Sequence, residues 1–134
     1  IQIRLVGSEM CIRDRSGAAR KMRRTAVTYC MSKTALDRMT KGFALEMAEY
    51  GIRANCLEPG FASGSAVSVL NQEHIDRVLA AIPLRHEINS EDVGQAALFL
   101  ASSAAKNITG ATLSVDGGNS AGTMDVYQDK KSAL

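Results

Sequence analysis

The sequence IRANCLEPG at residues 52–60 decides the fold class. Its first six residues, Ile52–Leu57, form a short and largely apolar run of strand length, and Glu58-Pro59-Gly60 ends that run as a turn. A second run, Ala111–Val115, is ended in the same way by Asp116-Gly117-Gly118. Helical patterns separate the two runs, and strands separated by helices pair in parallel through right-handed crossovers. The sequence therefore predicts an α/β fold with a parallel sheet.

Three helical patterns flank these strands. Ala26–Tyr50 predicts a long helix that Gly51 caps, and Asn71–Ala81 predicts a shorter one. A third helix is expected to begin at Ser90 as its N-cap. Spacings of three and four predict two buried faces. The long helix is expected to bury Met31, Ala35, Leu36, Met39, Phe43, Ala44 and Met47, and the third helix Val93, Ala96, Ala97, Leu100 and Ala101.

Two parallel strands are too few for an independent sheet, because a parallel sheet needs both faces covered and several strands. The chain therefore reads as the second half of an α/β domain, with residues 16–120 as that half. Residues 1–15 resemble a translated sequencing-adapter run and are predicted to be non-native or disordered. Residues 121–134 are polar and predicted to form a flexible tail.

Composition narrows the class of protein. The 134 residues are 46% hydrophobic and 22% charged, which is typical of a soluble globular domain and not of a disordered chain. The three cysteines show no paired spacing with each other or with the two histidines, so neither a disulfide scaffold nor a metal site is predicted. No apolar run is long enough to cross a membrane, and we expect a reducing, cytoplasmic location.

The residues that could carry chemistry start with Tyr29 and Lys33, which stand four apart and so share one helix face. A cation beside a phenol favours the phenolate, which can exchange a proton with an alcohol. Ser16 lies 13 residues before Tyr29, and its hydroxyl could hold a carbonyl oxygen. Each feature alone is more often an ordinary surface or loop residue.

The order of these features is more specific than any one of them. The sequence contains Ser16, then Tyr29-x-x-x-Lys33, then Asn55-x-x-x-Pro59-Gly60. Together they resemble the short-chain dehydrogenase/reductase (SDR) family of the classical type. Residues 83–118 also resemble that family's C-terminal segment, from its P-L-x-R turn to its closing V-D-G-G. The resemblance covers roughly three quarters of the chain.

The resemblance implies a Rossmann-type parallel sheet, of which this chain would hold the C-terminal half only, the last two strands with their flanking helices. It implies hydride transfer between NAD or NADP and a small-molecule alcohol or carbonyl substrate. Tyr29 would be the general acid/base, Lys33 would stabilise its phenolate and bind the nicotinamide ribose, and Ser16 would steady the substrate oxygen. Pro59, Gly60 and Ala62 would border the nicotinamide, and Tyr29 would contact the cofactor together with Lys33.

The sequence also departs from the family pattern. The family's glycine-rich T-G-x-x-x-G-x-G turn and its N-A-A-G segment are absent, so we expect weak binding of dinucleotide or none. A threonine that the family often places after its P-G pair is replaced by Gly64, between Ser63 and Ser65. Glu58 stands where a small apolar residue is usual and receives no role. His74 and His86 are expected to be solvated.

Two other functions stay open at this stage. The basic cluster at residues 20–24 could bind nucleic acid, but it has no interleaved aromatic residues, so neither nucleic acid nor membrane is the expected partner. The chain could instead be an inactive fragment that only self-associates, since the resemblance implies a homodimer or homotetramer for the full-length enzyme.

Overall fold

The computed structural model describes residues 26–64 and 71–122, together with the backbone of residues 2–5 and 10–14. The elements of this part of the chain follow in the order β1 (Gln2–Leu5), β2 (Met10–Asp14), α1 (Val27–Glu46), β3 (Arg53–Pro59), α2 (Gln72–Ala81), α3 (Ser90–Ala101) and β4 (Thr112–Val115). A single 3-10 turn follows α1 at Ala48–Tyr50, and another follows α3 at Ser103–Ala105. Gly51 ends the first of these turns in the left-handed conformation, as expected for a capping glycine.

The described strands form one sheet in the order β1-β2-β3-β4. β2 pairs with β3 and β3 with β4, both in parallel, so the predicted parallel α/β architecture is confirmed. β1 pairs with β2 antiparallel. The sheet thus has two more strands than the sequence predicted, and both lie in the segment expected to be disordered. An open strand edge accepts any chain of suitable length, and the apolar Met10–Ile12 run supplies one. The boundaries at residues 15 and 120 stay predictions.

The buried face of α1 agrees only in part with the predicted one, since Ala44 is common to both. Cys30, Asp37, Thr40 and Ala44 are buried, whereas Met31 and Met39 are 61% and 43% exposed. The reason is that α1 meets the sheet through small and polar groups. The Cys56 thiol of β3 donates to the Thr40 hydroxyl at 3.2 Å, and the Thr112 hydroxyl of β4 donates to the Asp37 carboxylate at 3.0 Å. Hydrophobic periodicity therefore predicted Ala44 correctly and Leu36, Phe43 and Met47 in part, and it was wrong for Met31, Ala35 and Met39.

The apolar core lies on the opposite face of the sheet, under α3. Leu57 of β3, Leu100 of α3 and Ala105 form its centre. Around it pack the partly buried residues Val93, Ala96, Ala97, Ala101, Ile108, Leu113 and Val115, so the predicted buried face of α3 is confirmed.

The N-cap of α3 is Asn89, one residue earlier than predicted. Its side chain accepts the backbone N–H groups of Glu91 and Asp92, and the Asp92 carboxylate accepts the Asn89 N–H in return. This reciprocal pair satisfies donors that Ser90 would otherwise have had to satisfy.

Two polar side chains of β3 join it to the segment that leads into β4. The Asn55 amide donates to the Ile108 carbonyl at 2.9 Å and accepts the Ala111 N–H at 3.1 Å. The Arg53 guanidinium donates to the carbonyls of Leu100 and Ile108, at 2.7 and 3.2 Å. Asn55, one of the residues that carried the family resemblance, is fully buried and serves the fold.

Replacing Arg53 by alanine should destabilise the protein. The substitution removes two charge-assisted hydrogen bonds and a cation from the negative end of α3, a loss of about 1–3 kcal/mol in the free energy of unfolding. Urea unfolding of Arg53→Ala measures this loss. Arg38→Ala is the control, because Arg38 is exposed on α1 and its removal should change stability by less than about 0.5 kcal/mol. Equal unfolding midpoints for the two variants would contradict the assigned role.

Candidate active site at the carboxyl edge of the sheet

The direction of α1 decides which edge of the sheet its first turn reaches. Ala44, late in the helix, lies against Gly110, before the start of β4, while Thr40 contacts Cys56 in the middle of β3. The helix therefore runs antiparallel to the strands. From Thr40 back to Tyr29 is roughly 16 Å of helix, and from Cys56 on to Gly60 is roughly 13 Å of strand. The first turn of α1 thus comes to the carboxyl edge of the sheet, the edge where open α/β sheets bind ligands.

Tyr29 and Lys33 lie together in that first part of α1. The Lys33 Nζ atom is 5.6 Å from the centroid of the Tyr29 ring, within the range of a cation–π contact. Tyr29 is 47% exposed, so its phenol is open to a ligand. The predicted shared helix face is therefore seen in the structure. The catalytic roles of the two residues stay predictions.

Gly60 approaches the backbone of Asp116 closely. A Cβ atom on Gly60 would lie 2.6 Å from the Cα atom of Asp116, and the Gly60 N–H donates to the Val115 carbonyl at 2.8 Å. The glycine is thus required where the end of β3 meets the end of β4. Pro59 is the last residue of β3 and lies directly before this contact.

The turn after β4 is held against the turn after α2. Gly117 and Gly118 have positive φ angles of 62° and 88°, and a Cβ on Gly117 would lie 2.7 Å from the Ile82 side chain. The Gly117 carbonyl accepts the Leu84 N–H at 3.1 Å. The V-D-G-G and P-L-x-R segments that carried the family resemblance are therefore packed against each other.

The segment that leaves β3, residues 61–64, is held by Glu87 and Ile88. The Ser63 N–H donates to Glu87 Oε2 at 2.6 Å, and the Ile88 N–H donates to the Phe61 carbonyl at 3.0 Å. Hydrogen bonds from the Ser63 backbone and side chain lower the pKa of the Glu87 carboxyl below its ordinary value, against a small opposing effect of desolvation. The contact is therefore formed at neutral pH and weakens as the pH falls through that lowered pKa.

Ala62 lies between these two hydrogen-bonded residues, and it is partly buried. Sequence reasoning missed Glu87, because its partner is 24 residues away in the chain and no local pattern marks the contact. It also left Glu58 without a role, whereas Glu58 is fully buried. Glu58 is two residues after Cys56 and four after Ala54, so it lies on the same face of β3 as these two buried residues. This period of two could have predicted its burial.

Several predicted residues lie outside the described part of the chain. These are Ser16, Ser65 and the basic cluster at residues 20–24. His74 and His86 are both exposed, in agreement with the expectation that they are solvated. Among the described helices, none is long and apolar enough to cross a bilayer.

Gly60→Ala should destabilise the protein whether or not a cofactor binds. The added methyl group would collide with the backbone of Asp116, at an expected cost of about 1–3 kcal/mol. Gly94→Ala is the matched control, because a Cβ there meets nothing within 4 Å and Gly94 is a helical residue of α3. It should stabilise by about 0.5–1 kcal/mol. Urea unfolding measures both, and a neutral Gly60→Ala would show that the strand ends have room to separate.

A comparison with known families identifies the family of this chain. The profile of a family described as enoyl-(acyl carrier protein) reductase matches residues 7–120. Solved structures with the same fold are Rossmann-fold dehydrogenases, so the chain has the fold of that class. Within it, the chain belongs to the short-chain dehydrogenase/reductase family, whose members named here are oxidoreductases.

Curated relatives match about two thirds of the chain. A 3-oxoacyl-[acyl-carrier-protein] reductase FabG from Rickettsia prowazekii is 42% identical over 90 residues, which are 67% of this chain and 37% of that protein. The protein of the same name from Chlamydia pneumoniae is 43% identical over 90 residues, 67% of this chain and 36% of that protein. The chain thus spans well under half the length of the relatives it matches.

Two solved structures share the fold at 32% sequence identity. One is a 7α-hydroxysteroid dehydrogenase complexed with NADH and 7-oxo glycochenodeoxycholic acid, with a TM-score of 0.78 over 82% of this chain and 44% of that one. The other, from Beutenbergia cavernae, is described as an NAD(P)-dependent gluconate 5-dehydrogenase with bound NADP. Its TM-score is 0.81 over 86% of this chain and 47% of that one.

Proposed function

We propose that the chain carries the catalytic residues of an oxidoreductase that transfers a hydride between NAD or NADP and an alcohol or carbonyl substrate. The observation that carries the proposal is the pairing of Tyr29 with Lys33 on one face of α1, where α1 reaches the carboxyl edge of the sheet. The solved neighbours with bound NADH and NADP support the choice of cofactor.

The described residues fit the nicotinamide and ribose end of such a cofactor. Lys33 offers ammonium donors suited to ribose hydroxyls, and the exposed phenol of Tyr29 lies beside it. Pro59 and Ala62 lie at the end of β3, at the same edge of the sheet. Gly60 lies at the same edge and stays a proposed neighbour of the nicotinamide, while Asp116 fills the side of its Cα atom that a Cβ would occupy.

The proposed proton transfer uses the Tyr29 phenol. A bound nicotinamide supplies or accepts the hydride at the substrate carbon. The Tyr29 Oη donates its proton to the substrate oxygen during reduction and takes it back during oxidation. The Lys33 ammonium stabilises the phenolate that remains after donation. Ser16 would hold the substrate oxygen by a hydrogen bond, as the family resemblance implies.

The names of the relatives favour a 3-oxoacyl thioester as the first carbonyl compound to test. Its ketone is the group to which a tyrosine could deliver a proton. The solved 7α-hydroxysteroid dehydrogenase with bound 7-oxo glycochenodeoxycholic acid favours a steroid ketone as the second compound to test. A panel with one 3-oxoacyl thioester and one steroid ketone therefore distinguishes these two substrate classes.

Tyr29→Phe should slow turnover strongly and leave the fold nearly unchanged. The variant removes one exposed hydroxyl, so the expected loss is about 10²–10⁴-fold in rate with little loss of stability. Binding of NADH and NADPH to the 134-residue chain is measured first by fluorescence, followed by turnover of the panel. Tyr50→Phe is the control, because Tyr50 is 67% exposed at the far end of α1.

Two results would reject the proposed activity for this chain. One is the absence of saturable binding of either cofactor at millimolar concentration. The other is a Tyr29→Phe variant that turns over as fast as the original chain. Salt-sensitive binding of DNA without turnover would instead favour the basic cluster at residues 20–24 as the functional feature.

We also propose that the chain forms homo-oligomers through the outer face of α1. Val27, Met31 and Leu45 lie outside the buried face of α1 and are 52%, 61% and 82% exposed. Positions 27 and 45 are five helical turns apart and so share one side of the helix. Exposed apolar side chains near both ends of α1 are the candidate association surface, and the exposed Arg38 lies between them on the same side. A second copy of the chain would cover this surface, as the family resemblance implies.

Met31→Lys should weaken self-association, because a buried lysine would have to lose its hydration at the interface. Sedimentation at several concentrations measures the mass of the particle. Gln72→Lys carries the same change of charge on α2 and should leave the mass unchanged. A chain that is monomeric at every concentration, or a Met31→Lys variant that associates normally, would contradict this surface.

A further inference from the structure

We infer that Glu87 is a positioning residue of the candidate active site: its carboxylate fixes the backbone of Ser63 and thereby holds residues 61–63 at the carboxyl end of β3. The effect of Glu87 on cofactor binding rests on the proposed function. The contact on which the inference stands, 2.6 Å between the Ser63 nitrogen and Glu87 Oε2, belongs to the fold alone.

The segment that Glu87 holds is fastened at three successive points. The Gly60 N–H donates to the Val115 carbonyl, the Phe61 carbonyl accepts the Ile88 N–H, and the Ser63 N–H donates to Glu87. The first two bonds use backbone groups that almost any residue could supply. Only the third depends on a particular side chain. Removing that side chain should therefore loosen Ser63 while leaving Gly60 and Phe61 attached.

The segment that carries Glu87 is itself held in place. The Leu84 N–H donates to the Gly117 carbonyl, and the Arg85 N–H donates to the Ile82 carbonyl, which closes a tight turn. Arg85 has a φ of 61°, a left-handed conformation that non-glycine residues seldom adopt. Its guanidinium also donates to the Ala80 carbonyl at the end of α2. This turn directs the chain from Gly117 back toward Phe61.

Ile88 anchors the other side of Glu87. Its side chain is 7% exposed, whereas Glu87 itself is exposed. A buried neighbour thus fixes the backbone position of Glu87, and the carboxylate reaches out from that position to Ser63. Glu87 is exposed, so its removal buries no unpaired group and opens no cavity. The variant should therefore change the local order of residues 62–64 without unfolding the protein.

The consequence for the site follows from the place of Ala62. Ala62 lies between Phe61 and Ser63, and the proposed function sets its backbone beside the nicotinamide. A backbone held from both sides is preorganised for a ligand, which lowers the entropy that binding must remove. Loss of the Glu87 contact should therefore weaken cofactor binding, and a neutral acceptor of the same shape should restore part of it.

The test compares Glu87→Ala, Glu87→Gln and the control Glu49→Ala in the full 134-residue chain. Glu49 is an exposed acid in the 3-10 turn after α1. Hydrogen exchange of the Ser63 amide, followed by NMR, is the first readout. We expect exchange about tenfold faster in Glu87→Ala, an intermediate rate in Glu87→Gln and no change in Glu49→Ala. Urea midpoints should be equal for all three.

Cofactor affinity is the second readout, measured by the fluorescence of bound NADH. We expect a dissociation constant several-fold higher in Glu87→Ala and partial recovery in Glu87→Gln. Unchanged Ser63 exchange in Glu87→Ala would overturn the inference. So would faster exchange with unchanged NADH affinity, or a fall in the urea midpoint large enough to explain both effects.

The failure of the proposed function is distinguishable from the failure of this inference. If the original chain binds neither NADH nor NADPH, the proposed function fails. The exchange rate of the Ser63 amide still decides whether Glu87 holds residues 61–63, since that measurement needs no cofactor.

Discussion

The side-chain amide of Asn55 sets the register on which the rest of the structure depends. It is fully buried, and it binds the segment before β4 through the Ile108 carbonyl and the Ala111 N–H. Because this segment leads directly into β4, the amide aligns β4 with β3. A shift of one residue would turn every side chain of β4 to the other face of the sheet. The Thr112 hydroxyl would then no longer reach Asp37 on α1.

The same register places the ends of the two strands together. With Pro59 opposite Val115, Gly60 comes against Asp116, and the Asp116 carboxylate accepts the N–H groups of Gly118 and Ser120. The Gly117 carbonyl then accepts the Leu84 N–H in the turn after α2. The chain continues from that turn to Glu87 and Ile88, which hold residues 61–63. The groups at the carboxyl edge are thus positioned by a succession of backbone contacts that starts in the middle of β3.

The sequence predicted well those features that depend on neighbouring residues in the chain. The third helix, the end of β4 and Gly51 were predicted well, because apolar spacing and turn residues are local. The predicted end of β3 at Leu57 was wrong by two residues, since the strand continues through Pro59. The face of α1 was predicted only in part, because its sheet contact uses Thr40 and Asp37 in place of Met31 and Met39. The close approach of Gly60 to Asp116 was not predicted either. Such contacts join residues far apart in the chain, and a single sequence carries no mark of them.

The long separation between Asn55 and its partner also has a consequence for the order of folding. The contact between Thr40 and Cys56 closes a loop of 16 residues, whereas the contact between Asn55 and Ala111 spans 56. Loop-closure entropy grows with the logarithm of length, so the longer loop costs about 1 kcal/mol more to close. The shorter loop therefore favours assembly of α1 with β3 before β4 docks. Until docking, β3 presents an open edge to any strand nearby, and in that interval a newly made chain is most exposed to mispairing.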